Sequence, residues 1–376
     1  MEKIRTGIIG CGKGAHLHAR ALCNLPQSVF AGVYSRSFEK AKAFGEQYGV
    51  PAYSEIEDLA AEGGVQAVII CTPHPVHAET AIRAMEAGMH VLVEKPLASS
   101  LEECDAIIAA ARKASVKLGT VCQRRFYPPA RRVKEAIDAG KIGDPILATV
   151  TLLGWRDEAY YKSDPWRGSW QGEGGGVLVN QAPHLLDLLQ WYMGPVDEVF
   201  GYWANLNHPY IEVEDTALAA IKFRNGALGN IVLSNSQNPA LYGKVHVHGA
   251  NGASVGVQTD GGAMFIAGMS TITEPPYNDI WTVPGEEQFL AQWMKEDAKF
   301  FAEIDPLVYF HERQIGDFLQ AIIEDRKPLI DGEEGRKTVE IFTAIYRSNR
   351  DKRPVKFPLQ PEQGADFDGR LLKGNS

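Results

Sequence analysis

Ile4-Arg5-Thr6-Gly7-Ile8-Ile9-Gly10-Cys11-Gly12-Lys13-Gly14-Ala15 carries a β-branched apolar run straight into three spaced glycines, and a helical pattern follows at Ala15–Asn24. Glycines at a strand-to-helix turn let the backbone fold tightly. They also let an anionic group approach the N–H groups at the positive end of the helix. G-x-G-x-x-(G/A) is a weak signal alone and becomes meaningful after a strand and before a helix, the context met here. Gly10, Cys11, Gly12, Lys13, Gly14 and Ala15 are therefore the expected cradle for a dinucleotide pyrophosphate.

Working outward, the first ~120 residues alternate short apolar runs with helical patterns, as parallel βαβ units do. The strands expected are Arg5–Ile9, Val29–Tyr34, Ala67–Cys71, His90–Val93 and Lys117–Val121. Between them lie helices at Ala15–Asn24, Phe38–Tyr48, Ile56–Ala61, Val76–Ala87 and Leu101–Ala114. Ser54-x-x-Glu57 and Ser100-x-x-Glu103 read as capping boxes. After Val121 the texture changes. GKIGDPI is a turn, and from Ile146 longer alternating strands follow, clearest at Val199–Asn205, Thr216–Phe223, Ala227–Ser234 and Lys244–His248. Turns such as Arg224-Asn225-Gly226 make these an antiparallel meander. Asp260 to about Pro306 reads as an elaborated loop or short helices, and a helix pair in FLQAIIED and TVEIFTAIYRSN closes the chain. The fold class expected is a doubly wound α/β domain over 1–124, then an α+β domain over 125–376.

The 376 residues exceed one ordinary core, which fits two domains. A net charge of −9 argues against a nucleic-acid or anionic-membrane surface. No window approaches the ~18 apolar residues of a membrane span, and the N-terminus has no apolar leader, so a cytoplasmic protein is expected. Five cysteines without a C-x-x-C pair fit reduced thiols. A small molecule is the expected partner.

The second strand ends in Tyr34-Ser35-Arg36-Ser37, where NAD-binding members of this fold commonly carry an acid that accepts from the ribose 2′-hydroxyl. Without that acid a 2′-phosphate is not repelled. Ser35, Arg36 and Ser37 can hold one, which favours NADP over NAD; alternatively Arg36 stacks on adenine and NAD is used. Ligands of open α/β sheets lie outside the C-terminal strand ends. That places Thr72, Pro73, His74 and His77, and then Glu94 and Lys95, at the cofactor crevice.

GCGKGA, VIICTPHPVHAETAIRAMEAGMHVLVEKPLA, CQRRFYPP and GGGVLVNQAPHLLDLLQW together resemble the Gfo/Idh/MocA oxidoreductases, over about Ile4 to Leu359. The resemblance implies an N-terminal Rossmann domain and a C-terminal α/β domain. The latter carries a large, mostly antiparallel, open-faced sheet for substrate and subunit contacts, with homodimers or homotetramers frequent. It implies a cis Lys95–Pro96 bond that aims Lys95 at the nicotinamide. It also places Gln123, Trp166 and Arg167 on the cofactor, with Arg124, Arg125 and Tyr127 at cofactor or substrate.

In Gly174-Gly175-Gly176-Val177-Leu178-Val179-Asn180-Gln181-Ala182-Pro183-His184 the apolar residues read as a short strand. Leu185, Leu188, Leu189 and Tyr192 then recur at helical spacing. Pro183 belongs to that helix's first turn, and Asn180 is its expected N-cap. At a helix N-terminus a histidine is kept neutral, so His184 is able to accept a proton. By resemblance His184 is the base. The family pattern usually has aspartate four residues earlier; Asn180 can orient a hydroxyl there but takes no proton.

The chemistry expected is hydride transfer between nicotinamide and a ring CH–OH of a cyclic polyol, sugar or glycoside. His184 moves the hydroxyl proton and Lys95 stabilises the oxygen. Trp155 and Arg156, with Trp166, Arg167 and Trp170, suit the apolar face and hydroxyl fringe of a sugar, or else simply pack. Substrate contacts are thus expected from Lys95, Arg125, Tyr127, Trp155, Arg156, Asn180 and His184. His246 and His248 share a strand face, but without a third ligand they read as a sheet surface, and no metal site is expected. Two alternatives remain open. One is a redox-assisted glycosidase working through a transient 3-keto sugar, with Tyr127, Tyr160 or His311 as its additional base. The other is a non-catalytic dinucleotide sensor.

Overall fold

The computed structural model describes residues 2–261, 274–362 and 367–370. The chain divides into two compact units, Met1–Gln123 with Asp305–Arg336, and Arg124–Ile304 with Lys337–Ser376.

In the first unit β1 (Ile4–Ile9), α1 (Ala15–Asn24), β2 (Ser28–Tyr34), α2 (Phe38–Tyr48), β3 (Ala52–Tyr53), α3 (Ile56–Ala61), β4 (Ala67–Ile70), α4 (His77–Glu86), β5 (His90–Val93), α5 (Leu101–Ala114) and β6 (Leu118–Thr120) alternate. The strands form one parallel sheet in the order β3-β2-β1-β4-β5-β6. The chain builds outward from β1 through β2 and β3, then returns to add β4, β5 and β6 on the other side. The order therefore reverses between β1 and β4, where such sheets open a crevice at their C-terminal ends. The five expected strands form within one or two residues of their predicted bounds. Ser100 caps α5 in a complete capping box with Glu103. The box expected at Ser54 does not form: α3 starts later, with Glu55 at its N-cap, so Ser54 stands one position too early to reach the third amide.

The second unit opens with α6 (Pro128–Asp138) and β7 (Pro145–Leu153). Four helices follow, α7 (Glu158–Lys162), α8 (Trp170–Glu173), α9 (Val177–Asn180) and α10 (Pro183–Met193). Strands β8 (Val196–Ala204), β9 (Thr216–Phe223), β10 (Leu228–Ser234), β11 (Tyr242–Gly249) and β12 (Ser254–Gly261) then precede α11 (Phe289–Glu303). The chain adds α12 (Pro306–Ile323) to the first unit and ends with α13 (Gly332–Asp351) and β13 (Val355–Lys356). The sheet order is β12-β11-β7-β10-β9-β8-β13. Every pairing is antiparallel except β7 with β10, which run parallel, so the expected meander is interrupted there. Asn225 and Gly226 make the β9–β10 turn: the Asn225 side chain accepts the Ala227 N–H, and Gly226 takes a left-handed φ of 89°.

Alternation along these strands separates two faces. Ala148, Val150 and Leu152 of β7, Ala217, Ala219 and Ile221 of β9, and Val245 and Val247 of β11 are buried. Leu185, Leu188, Leu189 and Tyr192 of α10 are buried too, as the helical spacing requires. On the opposite face Leu147, Tyr202, Leu218 and Leu228 are 41–57% exposed and adjacent in register, Leu228 beside Leu147 and Tyr202 beside Leu218.

Residues 305–336 lie beyond the 124/125 boundary expected from sequence yet belong to the first unit. The reason is hydrophobic: Val308, Ile315, Phe318 and Leu319 of α12 share a core with Ile4, Ile8, Ala15, Ala19 and Leu22. Of the stretch expected as loop or short helices, 262–273 lies outside the described residues, while α11 is a 15-residue helix. Among the described residues no helix is long and apolar enough to cross a membrane. All five cysteines are free thiols.

Candidate active site

In the first unit the glycines of the β1–α1 turn separate by role. Gly10 has φ +98°, and a Cβ there would lie 2.8 Å from the Cys71 carbonyl and the Thr72 nitrogen, so only glycine fits. At Gly12 and Gly14 a Cβ would meet nothing within 4 Å. Gly14 is the N-cap of α1 and makes no side-chain cap; the Ala15 and Leu17 N–H groups of the first turn donate to the Gly12 and Gly14 carbonyls at 3.1 Å. Cys11 stays a thiol, its pKa pushed up to about 12 by burial. Ser35 is half-buried and Arg36 exposed at the end of β2, while the Ser37 hydroxyl accepts the Lys40 N–H and caps α2.

Beyond β4 and β6, two buried polar atoms, Thr72 Oγ1 and Gln123 Oε1, find no hydrogen-bond partner among the described residues. Orphaned acceptors and donors at the C-terminal strand ends, with open space over Gly12 and a helix start that has no side-chain cap, fit a bound dinucleotide.

His77 is placed differently from expectation. It is fully buried, one ring nitrogen 2.9 Å from the Thr72 carbonyl oxygen and the other 3.0 Å from that of Pro96. It ties the loop after β4 to the loop after β5, and burial lowers its pKa. His74 is also buried, edge-on to His77.

The Lys95–Pro96 peptide is cis, as the resemblance implies. Just before it, the Glu94 carboxylate accepts the Lys95 N–H at 2.9 Å and faces His18 Nε2 at 2.7 Å. His311 Nε2 stands 3.8 Å from the same carboxylate, and its Nδ1 is 2.5 Å from the Leu307 carbonyl. Burial alone would raise the Glu94 pKa, but the two imidazoles hold it well below the usual carboxylate range. Burial lowers that of His18. A neutral His18 donating to an ionised Glu94 satisfies both directions. These three side chains bring ligand-capable atoms within 4.8 Å of one another. With Glu94 engaged by His18 and by the Lys95 N–H, the group reads as a hydrogen-bond network that sets the Lys95 backbone. His311, considered as a base, is thus enclosed in that network.

In the second unit the triple glycine is dictated by sterics. A Cβ on Gly175 would lie 2.3 Å from the Tyr346 hydroxyl, and one on Gly176 only 1.8 Å from the Glu214 carbonyl oxygen. The Glu214 carboxylate accepts the Gly176 and Leu178 N–H groups, and its backbone carbonyl accepts that of Val177. Three consecutive amides collected by one residue start a helical turn, so Val177–Val179 form α9 rather than the expected strand. The Asn180 N–H already donates to Gly176 as in a helix, so Asn180 is not the N-cap of α10; Ala182 is, without a side-chain cap. His184 is the second residue of α10 and half-buried.

Asn180 instead donates its amide to the Glu173 carboxylate and, at 3.2 Å, to the Tyr160 hydroxyl. Two acceptors on that side fix which way the amide is turned. Glu173, nearly fully buried, also accepts the Gly168 N–H at 2.6 Å. Tyr160 gathers several predicted residues. Its hydroxyl accepts from Arg167 at 2.5 Å and from Gln181 at 3.3 Å, and its ring lies between the guanidinium groups of Arg156 and Arg167, 5.0 and 4.4 Å away. Trp166 covers Arg167 at 4.3 Å. Arg156 donates to the Trp155 carbonyl, and Trp155 packs on His208, which is itself buried against Asp215 at 2.7 Å.

Arg125 is not gathered there. Its Nε and Nη2 form a two-pronged pair with Asp187 of α10 at 2.8 and 2.7 Å, both side chains at most 2% exposed, with Trp191 over the guanidinium. Arg124 donates to Thr259, and Tyr127 packs on Phe301. His246 faces Asp279, which also holds Lys244, and His248 faces Ser254, so the two histidines turn to separate partners. Sequence reasoning missed Glu173, Glu214 and Asp187. The H-x-x-D spacing of His184 and Asp187 was the one available signal.

Residues 4–121 match the profile of an oxidoreductase family with an NAD-binding Rossmann fold, and residues 130–255 match the GFO/IDH/MocA C-terminal domain. The chain is 30% identical to the WlbA dehydrogenase from Bordetella pertussis, seen in complex with NADH and UDP-GlcNAcA. The alignment covers 96% of this chain and 99% of that one, with a TM-score of 0.84. It is 28% identical to the myo-inositol 2-dehydrogenase of Thermotoga maritima, covering 94% and 98% of the two chains. With the 1,5-anhydro-D-fructose reductase of Ensifer adhaerens it shares 29% identity over 92% and 96%.

Proposed function

This chain belongs to the Gfo/Idh/MocA family of NAD(P)-dependent oxidoreductases, and from that premise we propose that it moves hydride between nicotinamide and a ring CH–OH of a cyclic polyol, sugar or glycoside. The observation that carries this reading is the Glu94-Lys95-Pro96 turn. A carboxylate pinned by His18 and by the Lys95 N–H fixes a half-buried lysine at the C-terminal edge of the parallel sheet, the edge where dinucleotides lie.

In this reading the Gly10–Ala15 loop and the α1 N-terminus hold the pyrophosphate. Ser35, Arg36 and Ser37 hold the 2′-end, and Thr72, Pro73, His74 and Gln123 the nicotinamide half. Trp166 and Arg167 close the cofactor side, while His77 and Glu94 act by fixing the loops around it. The hydride is taken up or returned by the nicotinamide of the bound dinucleotide. Lys95 and His184 serve one hydroxyl. As the C–H electron pair leaves carbon, His184 accepts the O–H proton and the Lys95 ammonium donates a hydrogen bond to the oxygen, which becomes a carbonyl. In reduction the same pair polarises and protonates the ketone. Asn180, turned by Glu173 and Tyr160, orients the carbinol, and Trp155, Arg156 and Tyr127 border the ring. Arg125 supports the site through Asp187, three residues beyond His184. An exposed cation in place of an acid at the end of β2 supports NADP over NAD.

The open sheet face of the second unit, with the exposed pairs Leu147–Leu228 and Tyr202–Leu218, supports a homodimer, to be checked by light scattering of Leu218→Arg. The function itself is tested by adding NADP+ or NAD+ to the protein with myo-inositol, methyl glucosides, 1,5-anhydroglucitol or glucuronate and recording nicotinamide absorbance. Steady reduction with at least one of them is expected. Tight dinucleotide binding without turnover across the panel would make the protein a sensor instead.

A further inference from the structure

Glu214 has no part in the chemistry above, yet it is among the most enclosed charges in the molecule. Its side chain is fully buried. Gly176 N–H reaches both carboxylate oxygens, at 3.0 and 2.9 Å, and Leu178 N–H reaches Oε1 at 2.9 Å. The Val177 N–H is taken by the Glu214 backbone carbonyl at 3.0 Å, against which Gly176 is packed so closely that no side chain fits. One residue therefore collects every amide at the start of the turn that carries Asn180 and leads, four residues on, to His184. Among the described residues of other elements, the Tyr346 hydroxyl of α13 lies against this carboxylate; Arg370 stands over the Tyr346 ring at 4.9 Å, and Glu173 also acts on the Tyr346 hydroxyl.

Relying on the role given to His184, we propose that Glu214 is a positioning residue: its ionised carboxylate clamps the Gly176–Asn180 turn and so holds Asn180 and His184 in the geometry of turnover. A charged acceptor makes hydrogen bonds about twice as strong as a neutral one. Protonation weakens all three contacts and obliges the new O–H to find an acceptor among groups that are nearly all donors. Burial pushes the Glu214 pKa up to about 7, against the lowering effect of the Gly176 and Leu178 N–H groups, so the clamp is lost on mild acidification.

The first test needs no substrate. Hydrogen–deuterium exchange of the full-length protein is followed in the peptide covering 174–184 at pH 8.5, for wild type and Glu214→Gln. The amide variant is expected to exchange there about 10-fold faster, with a melting temperature unchanged or higher. Exchange within twofold of wild type would overturn the clamp. The second test uses whichever of myo-inositol, methyl glucoside, 1,5-anhydroglucitol or glucuronate turns over fastest. The acid side of log kcat against pH is expected to approach a slope of two in wild type, from His184 and Glu214, and one in Glu214→Gln, with kcat at pH 8.5 about 10-fold lower. An unchanged slope and rate would refute positioning. Glu214→Asp, which keeps the charge but withdraws it by one methylene, should lose rate while keeping the steeper slope, and it serves if the Gln variant does not fold. If no substrate turns over, the functional reading fails and the exchange result still decides the clamp.

Discussion

Gly10→Ala and Gly12→Ala should fail in opposite ways, although only Cys11 separates them in one motif. At Gly10 a Cβ would stand 2.8 Å from three backbone atoms of Cys71 and Thr72, and the residue has φ +98°. Ordinary contact needs about 3.4 Å, and backbone at the end of a buried strand cannot withdraw. Overpacking of this kind costs about 1–3 kcal/mol, and holding a non-glycine residue at positive φ adds roughly 1–2. A loss of about 2–5 kcal/mol is a large part of the 5–15 kcal/mol typical of a folded protein. At Gly12 the added methyl meets nothing, and less freedom in the unfolded chain stabilises by about 0.4–1 kcal/mol. The space it fills is that expected for the pyrophosphate. Urea unfolding of the cofactor-free proteins, with NADPH fluorescence titration, separates the two. Gly10→Ala should lose stability, and Gly12→Ala should keep it while Kd for NADPH rises at least about 10-fold, roughly 1.4 kcal/mol. A destabilised Gly12→Ala with normal cofactor affinity would refute the reasoning.

Asp187→Asn leaves Arg125 buried without its charge partner, and urea unfolding should show a loss of about 3–5 kcal/mol, whereas a change under 1 would mean that the pair is solvated. Arg36→Glu should raise Kd for NADPH roughly 10- to 100-fold, the worth of about 1.5–3 kcal/mol for a charged hydrogen bond, and leave Kd for NADH within about threefold; parallel losses would place Arg36 on the adenine instead. For pH, Glu214 titrates near 7 in the folded protein against an ordinary value near 4.5, so the native state binds its proton more tightly. Its contribution therefore favours folding at low pH and declines as pH rises from about 4.5 to 7, by roughly 3 kcal/mol at 1.36 per pH unit. Asp215, held below the usual carboxylate range, against the raising effect of burial, by His208 and by backbone N–H groups, acts oppositely and only below about pH 4. Unfolding free energies at pH 5 and 8 should differ accordingly in wild type and converge in Glu214→Gln.

What could be read from the sequence was what neighbours in sequence decide. The β1–α1 glycines, the parallel strands, the Ser100 box and the α10 helix are local patterns, and they form where expected, although α10 is buried on nearly every side rather than along one stripe. The supports of the site are not local. Glu214 reaches Gly176 across 38 residues, and Arg125 reaches Asp187 across 62. Val177–Val179 looked like a strand because three apolar residues carry no period, and Asn180 looked like a cap because nothing nearby showed that the helical turn had already begun under Glu214. Arg125 looked available for substrate for the same reason. The first unit likewise recruits α12 by apolar burial that no linker composition announces.

The central claim, that Lys95 and His184 act on one oxygen, is tested most directly by single-turnover hydride transfer in Lys95→Met, His184→Ala and the double variant. Groups acting as one unit give losses that do not add. The account predicts that each single variant slows transfer at least about 100-fold, with cofactor affinity retained, and that the double variant is little slower than the worse single. Losses that multiply in the double variant, or a near-normal rate in either single, would contradict it.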